Sequence, residues 1–342
     1  MSRNIRFSFI IPIYNRKDEV IELLESLALL SAHSFEVLLI DGSPTPVLEE
    51  LNSLEAVKKL LYKRIHVPKL GISASRNLGA KNAKGEYLIF LDSDVILPSD
   101  YLENVEMALS VLDSDAFGGP DAAHPSFTVT QKAINYTMTS ILTTGGLRGK
   151  GNVSAYRPRG FNFGVRKLLF DKLGGFNEGV SVGEDIDLSV RIAKVGASVQ
   201  FIEKAFVYHK RRISLIRFYK QIFRFGAGRI LLAEKFSEER KITFLLPLAF
   251  VLGVLSGSFL WILSKPLFTL WGISLSTYLL ANLILATYQN KSIMVGLLVL
   301  PTLFVQFGAY AFGFVQNFIS VYIKGRPDGI FTIRGIGPQS PV

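Results

Sequence analysis

With 342 residues, 49% of them hydrophobic, and a mean hydropathy of +0.32, the chain is too apolar for a purely water-soluble protein of its size. It has no cysteine, which excludes a disulfide framework, a Cys-ligated zinc and a thiol nucleophile. The net charge of +10 suits anionic lipid or phosphorylated substrates; nucleic acid is not expected, because the bases lie beside apolar spans with aromatics among them.

Arg3-Asn4-Ile5-Arg6 leads into Phe7–Ile11, an apolar run too short for a secretory signal and closed by Pro12, so the first domain is expected to stay in the cytosol. Phe7–Ile11, Val37–Ile40, Ile65–Val67 and Tyr87–Leu91 read as strands. Between the first two, Val20, Leu23, Leu24, Leu27 and Leu30 recur at helical spacing behind Asp18 and Glu19; Gly71–Ala83 reads as a second helix. This alternation predicts an α/β fold with a mostly parallel sheet. Ligands bind off the C-terminal ends of such strands, where Asn15, Asp41 and Asp92 fall. Beyond Asp113 the pattern is less regular. It holds a polar stretch (143–160), a short strand near Phe161–Val165, and a helix over Glu184–Val195. In that helix Ile186, Val190 and Ala193 form one apolar row with Leu188, Ile192 and Val195 beside it.

Ser214–Phe236 interleaves aromatics with Arg217, Lys220, Arg224 and Arg229, the composition of a helix lying in a membrane interface. Phe218, Ile222 and Phe225 are expected among acyl chains, with the bases meeting lipid or acceptor phosphates. Thr243–Leu263 and Leu267–Thr287 are uncharged, each about 30 Å long as a helix, and joined by Ser264-Lys265-Pro266 into a hairpin. Ile293–Ile323 reads either as one long tilted span or as a pair broken at Pro301, so three or four crossings remain open. Basic residues flank both ends of the set (Arg240, Lys241; Lys324, Arg326, Arg334) and do not decide between them. Gly253 and Gly257 form a G-x-x-x-G, the one feature that would support an oligomer. The expected organisation is a catalytic domain over 1–212, an interfacial region over 213–242, membrane spans over 243–323 and a tail over 324–342.

Asp92 and Asp94 follow an apolar strand, where two acids can hold Mg²⁺ or Mn²⁺ against a diphosphate; a solvated turn is the alternative. Glu184 and Asp185 open a helix, either as dipole-stabilised acids or with Asp185 as a general base. His209 reads as a metal or diphosphate ligand, or as a polar residue at a strand end. Gly71–Gly79 leaves backbone N–H groups at a helix start for phosphate, with Arg76 one turn in; it is neither a Walker loop nor a Rossmann fingerprint.

In order, Ile10-Ile-Pro-Ile-Tyr-Asn15, Asp41-Gly42, Gly71–Gly79 with Arg76-Asn77, Ala83–Asp94, Phe161–Arg166, Gly174–Glu178 and Glu184-Asp185 resemble the family 2 glycosyltransferases of GT-A fold. The resemblance covers roughly residues 5–230. It implies an inverting transfer from a nucleotide-sugar without a covalent intermediate. Pro12, Tyr14 and Asp41 then contact the nucleoside, Arg76 the donor phosphates, Asp94 helped by Asp92 the metal, and Asp185 is the catalytic base. From their places in the chain, Asn15 and Asp92 are expected with the nucleotide-sugar, His209 with the metal and Glu184 beside the base. Val95 stands where many members carry a third acid. Gln221, Arg224 and Phe225 are similar to the Gln-x-x-Arg-Trp motif of membrane polysaccharide synthases, with Phe replacing Trp, and imply an acceptor site. The layout resembles the bacterial exopolysaccharide transferases, the succinoglycan ExoA-type group among them. It implies a polyprenyl-diphosphate-linked saccharide acceptor at the cytosolic face of the inner membrane. A polyprenyl-phosphate glycosyltransferase, a processive synthase and a non-catalytic membrane scaffold are the competing readings.

Overall fold

The computed structural model describes residues 5–32, 34–47, 51, 54–144, 156–180, 182–237, 240–326 and 329–332. In chain order the first elements are β1 (Phe7–Ile13), α1 (Lys17–Ala28), β2 (Phe35–Asp41), α2 (Glu55–Lys58), β3 (Tyr62–His66) and α3 (Ile72–Asn82). Then come β4 (Tyr87–Phe90), β5 (Val95–Ile96), α4 (Tyr101–Val111), β6 (Ala116–Gly118), β7 (Asp121–Ala122), α5 (Val129–Thr139) and α6 (Ile141–Thr144). After the polar stretch, most of which lies outside the described residues, follow β8 (Phe163–Arg166), α7 (Lys167–Lys172), α8 (Glu184–Lys194), β9 (Val199–Phe201) and β10 (Val207–His209). The last are α9 (Leu215–Lys235), α10 (Leu246–Leu263), α11 (Lys265–Asn290) and α12 (Ile293–Phe318).

The chain divides into two units, one from residues within 1–124 and 147–210, the other from 125–146 and 211–335. The first is an α/β unit on a seven-stranded sheet of order β3-β2-β1-β4-β8-β6-β9, in which only β8 runs against its neighbours. β1 does not stop before Pro12 but continues to Ile13, in register with β2 throughout. The reason is geometric. Ile13 C=O accepts from Gly42 on the β2 side, so Pro12 turns its missing N–H to the β4 side, where pairing ends at Ile10. In α8, Ile186, Leu188, Val190 and Ile192 are buried, whereas Ala193 and Val195 lie exposed, which corrects the expected apolar row. A separate three-stranded sheet, β5-β10-β7, has strands of only two or three residues.

The second unit is helical. Ile242–Leu263, Lys265–Asn290 and Ile293–Ile323 are three helices long and apolar enough to cross a membrane. The last is one continuous helix through Pro301, not a broken pair. In the most apolar 18-residue stretch of each, 6% is buried in the first two against 44% in the third, which is the centre of this unit. Residues 125–146, expected within the catalytic domain, belong here: Ala133 and Tyr136 of α5 pack with Val295, Val299, Leu303 and Phe307 of α12. Gln306 Nε2 donates to Thr137 C=O at 2.8 Å and Tyr136 Oη to Asn282 Oδ1 at 3.2 Å, satisfying polar groups that are costly in an apolar setting.

α9 lies directly against α12. A Cβ at Gly226 would sit 2.1 Å from Tyr310 O, and one at Gly313 2.1 Å from Phe223 O, so only glycine lets the backbones approach. Asn317 Nδ2 seals the contact on Ala227 C=O at 2.7 Å. Phe218 and Ile222 are therefore not among acyl chains. They are buried in protein, packed with Ile134, Met138 and Ala309, and Phe225 is half-buried against the same cluster. The exposed face of α9 carries Ile216, Arg217, Tyr219 and Lys220 instead. The G-x-x-x-G is also partly used within the chain: Trp271 Nε1 donates to Gly253 C=O at 2.8 Å, and its ring would meet a Cβ on Gly257 at 2.5 Å.

Candidate active site

β4 ends at Phe90 and the chain runs through Leu91-Asp92-Ser93-Asp94 into β5. Opposite β5 lies β10, with His209 in register with Val95, and Lys210 N–H donates to Asp94 C=O at 2.9 Å. These two short strands set Asp94 beside His209, whose Nε2 is 3.2 Å from Asp94 Oδ1. One ligand atom from each of Asp92, Asp94 and His209 lies within 4.8 Å of the others. Two carboxylates and one imidazole gathered this closely are a ligand set of the kind that suits Mg²⁺ or Mn²⁺. Behind the ring, Asp121 of β7 has no exposed side-chain surface, and its Oδ2 is 3.8 Å from His209 Nδ1. Phe161 packs on the ring at 5.0 Å between centroids.

Arg76 comes from the first turns of α3 and is 1% exposed. One arm, NH2, donates to Asp92 Oδ1 at 2.9 Å and the other, NH1, to Glu184 Oε1 at 2.8 Å, while Phe176 lies under the guanidinium at 5.1 Å. Burial works against this cation, but Asp92 and Glu184 outweigh it and raise its pKa. Burial pushes the Glu184 carboxyl up, opposed by Arg76 and reinforced by the charge of Asp185. Gly160 ties these groups together, since its C=O accepts from Arg76 NH2 at 3.3 Å and its N–H donates to Asp185 Oδ2 at 3.1 Å. A Cβ there would be 2.5 Å from Arg76 NH2, so the close approach requires glycine. Asp185 Oδ1 also accepts from Ile186 N–H at 2.8 Å, which fixes the half-buried carboxylate in orientation while each oxygen keeps a further lone pair.

Pro12 and Tyr14 are half-buried at the C-terminal end of β1, and Asn15 is exposed in the left-handed region at φ 53°. Asn15 N–H donates to Ser43 Oγ at 2.9 Å. Asp41 is fully buried, and its two oxygens accept from Ser43 and Val47 N–H at 3.0 and 3.1 Å, so its carboxylate shapes the turn after β2. Thus Asp92, Asp94, Arg76, Glu184, Asp185 and His209 form one cluster, with Pro12, Tyr14 and Asn15 on the neighbouring strand end. Gln221 and Arg224 belong to the helical unit, half-buried on α9, and make no side-chain hydrogen bond or ion pair among the described residues. Sequence reading missed Arg16, Asp121 and Gly160. Arg16 NH1 is 2.7 Å from Asp94 Oδ2, and its neighbour Asn15 was the only nearby signal.

Residues 8–174 match the family described as glycosyl transferase family 2, a stretch that holds Arg76, Asp92 and Asp94. The chain carries a glycosyl transferase family 2 domain. An uncharacterized glycosyltransferase of Rickettsia felis is 38% identical over 113 residues, which is 33% of this chain but only 18% of that relative. The succinoglycan biosynthesis protein ExoA of Rhizobium meliloti is 29% identical over 249 residues, covering 70% of this chain and 74% of its own. In fold, the family 2 domain and the elements after it are similar to the mannosyltransferase PcManGT from Pyrobaculum calidifontis, solved with GDP-Man and Mn²⁺. The TM-score is 0.59 at 16% identity, over 86% of this chain and 85% of that one.

Proposed function

We propose that this glycosyltransferase moves a sugar from a nucleoside-diphosphate sugar to a hydroxyl of a polyprenyl-diphosphate-linked saccharide, at the cytosolic face of the inner membrane. The observation that carries the reading is the cluster of Asp92, Asp94 and His209 beside Arg76, Glu184 and Asp185, at the carboxyl ends of parallel strands. Three apolar helices on the same chain support a membrane-bound acceptor, and Arg240 and Lys241 before the first of them support a cytosolic start.

Asp92, Asp94 and His209 would hold Mg²⁺ or Mn²⁺, which when bound neutralises charge on the departing nucleoside diphosphate. Asp121 keeps His209 in position from the far side of the ring. Arg76, pinned by two carboxylates, fixes Asp92 relative to Glu184. Glu184 is committed to that pair, which leaves Asp185 as the base. As the acceptor oxygen bonds to the anomeric carbon and the carbon–phosphate-oxygen bond breaks, Asp185 takes the hydroxyl proton, giving an inverted linkage. Pro12, Tyr14 and Asn15 line the nucleoside side. Gln221, Arg224 and Phe225 serve the acceptor, and Ile216, Arg217, Tyr219 and Lys220 meet membrane lipids.

The test is to incubate membranes containing the protein with a panel of nucleotide-sugars and identify glycolipids by mass spectrometry. One donor yields a lipid-linked product that EDTA abolishes and Mg²⁺ or Mn²⁺ restores. Full transfer in chelator, or transfer only to soluble acceptors, overturns the reading.

A further inference from the structure

The two acids of Asp92-Ser93-Asp94 are each held by an arginine, and the two arginines are built differently. Arg76 on Asp92 is sealed at 1% exposure and anchored a second time by Glu184. Arg16 on Asp94 sits at the rim, with 22% of its side chain exposed and, among the described residues, no second anchor closer than Glu19 Oε1 at 4.0 Å from the same NH1. Arg16 is the residue before the first turn of α1, directly after Asn15, whose left-handed backbone lifts the chain off the end of β1. It engages Asp94 Oδ2 at 2.7 Å, while Asp94 Oδ1 faces His209 Nε2 at 3.2 Å. Both oxygens of the candidate metal ligand are thus in use. A cation bound by Asp94 and His209 would share a carboxylate with a guanidinium, and like charges a few Å apart repel.

We propose that Arg16 is a displaceable counter-ion: it occupies Asp94 in the metal-free protein, gives the carboxylate up to the divalent cation, and then binds the diphosphate of the donor. This rests on the metal site proposed above. Arg16 suits the second role because its fork can bond two phosphate oxygens and because it lies at the strand end nearest the nucleoside side. The consequence is ordered loading, in which metal alone binds poorly and metal with diphosphate binds well.

The experiment is calorimetric titration of the full chain in detergent, first with Mn²⁺ alone and then with inorganic pyrophosphate at saturating Mn²⁺. Arg16→Gln is expected to bind Mn²⁺ alone about tenfold more tightly than the unaltered protein, the scale of removing one adjacent like charge. The same variant should bind pyrophosphate about tenfold more weakly, for loss of a charge-assisted contact. Arg16→Lys, which keeps the charge, should bind Mn²⁺ alone as the unaltered protein does. No gain in Mn²⁺ affinity in Arg16→Gln, an equal gain in Arg16→Lys, or unchanged pyrophosphate binding in Arg16→Gln each overturns the proposal. If Asp94→Asn leaves Mn²⁺ binding intact, the metal site itself is wrong, a failure distinct from that of Arg16.

Discussion

Asp185→Asn should lower turnover by about 10²-fold or more while donor affinity stays nearly unchanged, the scale on which a positioned general base contributes. The substitution suits the site. Asp185 is oriented by the N–H groups of Gly160 and Ile186, and Asn can keep one carbonyl oxygen on either of them while losing the capacity to take a proton. The comparison is direct binding of the donor against single-turnover transfer. A mild effect on turnover would favour a polyprenyl-phosphate acceptor, whose phosphate oxygen needs no base. A collapse of donor affinity with turnover per bound donor unchanged would make Asp185 a binding residue.

Arg76→Met should destabilise the α/β unit by about 3–5 kcal/mol, because it removes the guanidinium paired with Glu184 while retaining the buried stem. Arg76→Lys should recover only part of this loss, since one ammonium cannot reach along both arms to Asp92 and Glu184. Both tryptophans, Trp261 and Trp271, lie in the helical unit, so their fluorescence reports the wrong part of the chain. Hydrogen exchange of the β4 and α3 amides is the appropriate readout. A loss below about 1 kcal/mol would mean the pairs behave as solvated ones.

Strand ends were legible because the apolar runs of β1, β2 and β4 are long enough to show, and each stops at a polar residue. Asp92 and Asp94 could be placed that way, and the ordered motifs gave the family. Asp121 could not. It is brought in by β7, two residues long, and by a small sheet whose strands are too short to show any period. Arg16 and Gly160 carry no pattern of their own; their roles exist only once Asp94 and Arg76 are in place. Helix α9 was legible as amphipathic, but not as to which apolar residues face protein. The spacing sets Phe218 and Ile222 on one face and Ile216 on another, but only packing against α5 and α12 decides which face meets protein. The same packing explains why residues 125–146 leave the α/β unit, in a stretch whose sequence shows no regular pattern.

The central claim is that Asp92, Asp94 and His209 bind one divalent cation. Electron paramagnetic resonance of Mn²⁺ bound to the full chain tests it most directly, because a coordinated imidazole couples its nitrogen to the manganese electrons. A nitrogen coupling that vanishes in His209→Ala, together with loss of the bound Mn²⁺ signal in Asp94→Asn, is the predicted result. Bound Mn²⁺ with no nitrogen coupling, and unaltered by Asp94→Asn, would contradict the account.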